Sequence, residues 1–178
     1  MKEGGIGGAN TKTGLAFEGK TDILTFLSKQ PGYSVKGNIV FFHNEEVART
    51  YKKHAFYKFL EKEGVIWEKI ISKKLLPGDS IFVIIKNTVY IIEVKFQKVA
   101  GSVDEKLQTC DFKKKQYQKL LAKLNIDVEY IYILNDWFKS PAYKDVLDYI
   151  HSVRCQYYFE YLPLEKIGLP IPDKKEIK

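Results

Sequence analysis

The stretch Leu75–Phe96, LLPGDSIFVIIKNTVYIIEVKF, decides the fold. It holds two apolar runs rich in Ile and Val, Ile81–Ile85 and Val89–Val94, with Lys86, Asn87 and Thr88 between them. Such runs around a polar turn predict a β-hairpin with two well-buried strands. Asp79 stands at the mouth of the first strand, and Glu93 and Lys95 stand near the end of the second. Side chains alternate along a strand, so Glu93 and Lys95 share a face. The turn then decides where Asp79 points. A three-residue turn sets Asp79 opposite Lys95, on the side of Glu93, whereas a two-residue turn sends it to the other face. A longer turn or a bulge is therefore expected.

A carboxylate and an ammonium among Ile and Val are costly unless paired or bound to a metal. A structural Glu93–Lys95 ion pair at a strand end meets that need alone. Asp79 adds a second carboxylate where the hairpin folds back. Two carboxylates supply hard oxygen ligands for Mg²⁺ and leave positions for water and phosphate. A lysine beside them is placed to orient or deprotonate an attacking water, or to neutralise charge developing on phosphorus.

Pro77, Asp79, Glu93 and Lys95 together resemble the motif of the PD-(D/E)XK nuclease superfamily, although Gly78 separates the proline from the aspartate. The segments EVKFQ and AGSVDEKLQT, the early GGANTKTGLAFE and the later YILNDWF resemble a group of bacterial type II restriction endonucleases within it. The resemblance implies a restriction-endonuclease-like fold and Mg²⁺-dependent cleavage of double-stranded DNA. It implies Asp79 and Glu93 as metal ligands and Lys95 as the residue that positions or activates water. Glu18, on the helix expected before the sheet, would be a further acid, with Asp22 and Glu105 as competing candidates. Asn10, Lys12, Gln97, Ser102, Lys106 and Lys113 would contact DNA. A junction resolvase or repair nuclease of the same superfamily, or a DNA-binding protein with a vestigial site, are the competing functions.

Composition agrees with a globular chain. Its 178 residues are enough for one domain with a full core, and 45% are hydrophobic and 29% charged. No apolar run approaches the ~20 residues of a membrane span. The opening MKEGGIGG lacks a signal-peptide core, so a cytoplasmic protein is expected. Cys110 and Cys155 lack Cys-x-x-Cys spacing, and His43 and His54 form no ligand pair; both observations weigh against zinc. The net charge of +7 favours polyanionic partners. Nearly all of it is lysine, with Arg49 and Arg154 the exceptions; lysine serves phosphate better than it reads guanine. Palindromic sites match two-fold symmetry, so a homodimer is expected.

Along the chain, residues 1–13 form a glycine-rich arm whose likeness to a P-loop fails at Thr11. Gly14–Ser28 reads as an amphipathic helix, Tyr33–Phe42 as a strand, and Asn44–Glu63 as a helix ended by Gly64. Val65–Ile71 is open between a short strand and a sheet edge. After the hairpin, Ser102-x-x-Glu105 has capping-box spacing and starts a helix reaching about Leu124, with Lys113, Lys114, Lys115 and Lys119 on a basic side. Val128–Leu134 reads as a strand, Ser140-Pro141 as a helix start, and Gln156–Tyr161 as a last strand. Residues 163–178 read as an irregular tail, broken by Pro163, Pro170 and Pro172. The whole is an α/β domain, a central mixed β-sheet flanked by helices on both faces.

Overall fold

The computed structural model describes residues 8–11, 14–17, 22–99 and 101–173. Glu18 and Lys12 lie outside them, and of Asn10 only the backbone, in a strand, is described.

The hairpin is the centre of the molecule. Its strands are β6 (Asp79–Val83) and β7 (Thr88–Lys95), joined by a 3-10 turn over Ile84–Lys86 that ends on left-handed Asn87. Three earlier strands extend the sheet on one side: β3 (Tyr33–Lys36), β4 (Ile39–Phe42) and β5 (Glu45–Thr50). On the other side lie β8 (Asp127–Leu134) and β9 (Gln156–Phe159). The seven strands run in sequence order, antiparallel from β3 to β7 and parallel from β7 to β9. The fold is α/β with a mixed sheet.

Parallel neighbours need long crossovers. Helices α3 (Val103–Leu107) and α4 (Cys110–Leu121) carry the chain from β7 to β8, and α5 (Lys144–Ser152) carries it from β8 to β9. Strand alternation sorts the core into two layers. Val89, Ile91, Tyr130 and Tyr132 pack with Phe56 and Leu60 of α2 (His54–Lys62) and with Tyr117 and Leu120 of α4. Tyr90, Ile92, Ile131 and Ile133 pack with Ile23, Phe26 and Leu27 of α1 (Ile23–Leu27) and with Leu164 and Ile167. Helices therefore cover both faces of the sheet.

Several expectations are corrected, and strand pairing explains most of them. Gly14–Phe17 is not helical; it is strand β2, held between β1 (Gly8–Thr11) and the short β10 (Leu162–Pro163) in a separate sheet. Among the described residues of that stretch, Ile23–Leu27 keeps the helical reading, capped by Asp22, whose Oδ1 accepts from the Leu24 and Thr25 amides at 3.0 and 3.1 Å. Tyr33–Phe42 is two strands turning at Gly37. Glu45–Thr50 is a strand, not the first half of a helix, because it completes the backbone hydrogen bonds of β6, whose edge would otherwise be open. His43 and Asn44, both with positive φ, make the preceding turn. Val65–Ile71 is neither strand nor edge but carries a 3-10 turn at Trp67–Lys69. Ser102 occupies the N-cap position of α3 but makes no side-chain cap bond. The C-terminal segment is irregular but not a loose tail as far as Asp173: Leu164, Ile167 and Leu169 are buried in the second core layer.

Candidate functional site

The carboxyl end of β7, the amino end of β6 and the first turn of α4 frame a cleft of about 460 Å³. Asp79, Glu93, Lys95 and Lys113 line it, with Pro77, Gly78, Tyr117 and Tyr130. The sequence-predicted trio of Asp79, Glu93 and Lys95 thus borders one cavity. Their pairing differs from expectation. The connection between the strands is longer than three residues, since Val83 faces Thr88. That register sets Asp79 opposite Ile92, not Lys95, so the ladder turns it toward the layer of Ile92 while Glu93 and Lys95 share the other side.

Each carboxylate consequently has its own cations. Lys95 Nζ lies 2.6 Å from Glu93 Oε1, as adjacent same-face positions on one strand allow. Lys113 Nζ reaches over from α4 to both oxygens, at 3.2 Å from Oε1 and 2.9 Å from Oε2. The Tyr130 hydroxyl, one strand away on β8, donates to Oε2. Partial burial opposes ionisation of Glu93, but Lys95, the Tyr130 hydroxyl and Lys113 outweigh it and hold its pKa below the ordinary glutamate value. Burial, with the Glu93 charge beside it, pushes the Tyr130 phenol far up, so it stays a hydrogen-bond donor.

Asp79 answers to Lys52, whose Nζ lies 3.3 Å from its Oδ1 and 3.5 Å from Asp22 Oδ1. Lys52 is held there by the backbone around it. Tyr51 N donates to Ser80 O and the Ser80 hydroxyl to Tyr51 O, and Lys53 N donates to Pro77 O at 3.0 Å. Lys53 itself has φ 46° and ψ −115°, a strained backbone for a lysine. The Lys52 contact is an ion pair by distance but not an aligned hydrogen bond, which leaves the buried Asp79 Oδ1 without a hydrogen-bond donor. Burial raises the Asp79 pKa, Lys52 pulls it back, and the charge of Asp22 adds to the rise. Asp22 behaves oppositely: burial opposes its ionisation, but the Thr25 bonds, Lys52 and the Leu24 amide bring its pKa below the usual aspartate value.

Among the described residues no group of three or more His, Cys, Asp and Glu side chains converges as a ready metal centre. What the cleft does offer is two carboxylates, each facing a lysine that a cation could replace. Mg²⁺ commonly takes one or two protein carboxylates and keeps several waters, so this donor set fits it. Asp22 is used as a helix cap, and Glu105 is exposed on α3.

The expected DNA contacts fare differently from one another. Ser102 and Lys106 are exposed at α3, directly after the cleft strand. Gln97 is tied into its own loop: Asn135 Oδ1 accepts from its backbone N at 3.1 Å, Asn135 Nδ2 donates to its carbonyl at 2.7 Å, and its side-chain amide donates to Val99 O. Lys113 is spent on Glu93 rather than free at the surface. The basic side of α4 is largely neutralised: Lys114 is buried against Glu129 at 2.9 Å and the Arg154 carbonyl at 2.5 Å, and Lys115 pairs with Asp111 at 2.8 Å. A second concavity of about 450 Å³ is lined by Lys58 and Lys62 of α2 and by Arg49 and Glu63, beside Tyr51 and Phe59. Arg49 is paired with Glu46 at 2.5 Å, and the Tyr51 and Phe59 rings stack at 4.4 Å.

Sequence reading missed Lys52, Tyr130 and Asn135. The signal for Tyr130 was a phenol in a β8 run that also holds Tyr132, but its meeting with Glu93 depends on a parallel register of Ile91 with Tyr130 that no local pattern carries. No helix among the described residues is long and apolar enough to cross a membrane. No family model, curated protein or solved structure matches the chain.

Proposed function

We propose that the protein is a Mg²⁺-dependent endonuclease of the PD-(D/E)XK kind, a type II restriction enzyme that hydrolyses phosphodiesters at specific sites in double-stranded DNA. The observation that carries this reading is the common cleft of Asp79, Glu93 and Lys95 at the carboxyl end of β7. Asp79 and Glu93 would hold the cation. Bound there, Mg²⁺ supplies a Lewis acid that polarises phosphate and acidifies water. The residues of the chain do the rest. Lys95 would either, as an ammonium, orient the attacking water and offset the negative charge that grows on the phosphate oxygens, or, as a neutral amine, take the water's proton. The water oxygen bonds to phosphorus as the bond to the leaving deoxyribose oxygen breaks. Tyr130 keeps the Glu93 carboxylate aimed into the cleft. A duplex has two strands and each chain one such cleft, so two copies on a two-fold site is the assembly that fits a double-strand cut.

The reading in which the protein binds DNA without cutting it is favoured by one observation: Asp79 and Glu93 stand on opposite sides of the ladder, each neutralised by its own lysine. Digestion of a plasmid of known sequence with Mg²⁺, followed by mapping of the ends, separates the readings. Reproducible ends at one short sequence support the restriction enzyme. Cutting confined to branched or damaged DNA assigns the same chemistry to a resolvase or repair nuclease. DNA binding without cleavage in Mg²⁺ or Mn²⁺ overturns the enzyme.

A further inference from the structure

Glu93 is over-served. Its Oε1 faces Lys95 at 2.6 Å and Lys113 at 3.2 Å, and its Oε2 faces Lys113 at 2.9 Å and the Tyr130 hydroxyl. A carboxylate has about four lone-pair sites; Lys113 and the Tyr130 hydroxyl donate to three of them, and the Lys95 ammonium stands against Oε1 as an ion pair. A divalent cation that takes Glu93 as a ligand must compete with these contacts. It must also share the carboxylate with two ammonium groups of its own sign, a repulsion strengthened by partial burial.

The donors differ in their freedom to leave. The Tyr130 ring is fully buried in the core layer, which fixes its hydroxyl. Lys95 is tethered on the same strand face, so even when displaced it stays beside Glu93. Lys113 comes from another element, the first turn of α4, and spans both carboxylate oxygens through a long flexible stem that is 26% exposed. It also lines the cleft that a phosphate would enter.

We propose that Lys113 is a displaceable counterion of Glu93: it satisfies the carboxylate in the absence of metal, yields its place to the divalent cation, and then binds a phosphate oxygen of the DNA. This rests on the nuclease reading of the same cleft. Metal binding and phosphate binding are thereby coupled through one side chain. The ammonium that blocks the first supports the second only after it has been displaced.

Mn²⁺ titration without DNA, read by loss of the free-ion electron paramagnetic resonance signal, tests the first half. Lys113→Met and Lys113→Gln should bind Mn²⁺ about three- to tenfold more tightly than the parent chain, because a competing charge is gone. Lys115→Met, which removes the same charge from the exposed side of α4, should leave Mn²⁺ affinity unchanged. The second half is read on a short mixed-sequence duplex. Lys113→Met should weaken duplex binding about three- to tenfold in Ca²⁺ and much less in chelator, since the phosphate contact forms only after displacement. Equal or weaker Mn²⁺ binding by both Lys113 variants, with the parent chain binding normally, overturns the proposal and leaves the metal site standing. Tightening by Lys95→Met in place of Lys113→Met also overturns it. A parent chain and variants that take up no Mn²⁺ at millimolar concentration overturn the nuclease reading together with the proposal.

Discussion

Lys52 Nζ stands 3.3 Å from Asp79 Oδ1, and this ion pair is what keeps a carboxylate tolerable at the buried mouth of β6. Burial raises the Asp79 pKa despite Lys52. A carboxyl whose folded pKa exceeds its unfolded value is at its most favourable below the unfolded pKa, near 3.8, and loses that favour as pH rises through the folded value. Asp79→Asn should therefore melt higher than the parent at pH 8, and the gain should shrink toward pH 4. Lys52→Met should do the reverse, melting lower at pH 8 and nearly normally at pH 4. Thermal melts of both variants at the two pH values check this. On the nuclease reading Asp79→Asn also loses cleavage by about two to four orders of magnitude, while duplex affinity holds or rises because a negative charge near phosphate is gone.

Lys95→Ala separates catalysis from stability. Removing one partner of a truly buried pair costs about 3–5 kcal/mol because the other charge is stranded. Glu93 is not stranded here, since Lys113 and Tyr130 still serve it. The expected stability loss is about 1 kcal/mol, and the expected cleavage loss is about two to four orders of magnitude. Both are measured on the same preparation. A variant that is strongly destabilised yet cuts DNA normally would make Lys95 a structural residue and sink the proposed activity.

Asp22 caps α1, and its two neighbours in charge give it a second effect. Asp22→Ala should cost about 1 kcal/mol through the lost cap. Asp22→Asn should keep most of the cap but remove the repulsion on Asp79, and so lower the Asp79 pKa. The lowered pKa of Asp22 itself makes its contribution present above the unfolded value of 3.8 and lost as pH falls through the folded one. Denaturant melts of the two variants at pH 7 and pH 3 distinguish the cap from a metal-ligand role, which would instead abolish cleavage in Asp22→Asn.

The concavity lined by Lys58 and Lys62 is a basic surface with Arg49 at its side and Glu63 at its rim. Each lysine that meets a phosphate should contribute about one unit to the slope of log affinity against log salt. Lys58→Ala with Lys62→Ala should flatten that slope by about two and weaken binding alike on all sequences. An unchanged slope in a filter-binding salt series would remove this surface from the DNA interface.

The C-terminal segment belongs to the core. Leu164→Ala and Ile167→Ala each empty a fully buried position beside α1 and should cost about 2–5 kcal/mol. Effects below about 1 kcal/mol in urea melts would show the segment to be dispensable to folding.

The sequence by itself determined what repeats locally. The two Ile- and Val-rich runs became β6 and β7, the pairing of Glu93 with Lys95 followed from their spacing on one strand, and the apolar, tyrosine-bearing run of β8 and the stripe of α4 needed no partner to be read. Only the tertiary structure decided what depends on a distant partner. Gly14–Phe17 and Glu45–Thr50 carry enough helical character to mislead, and became strands because β10 and β6 offered unpaired edges. The side on which Asp79 points was set by a turn one residue longer than the polar triplet suggested, since each residue of register reverses a strand's faces. The partners around the two carboxylates were out of reach for the same reason. Lys52 lies 27 residues before Asp79, Lys113 lies 20 after Glu93 and Tyr130 lies 37 after it, and chain folding alone brings them together.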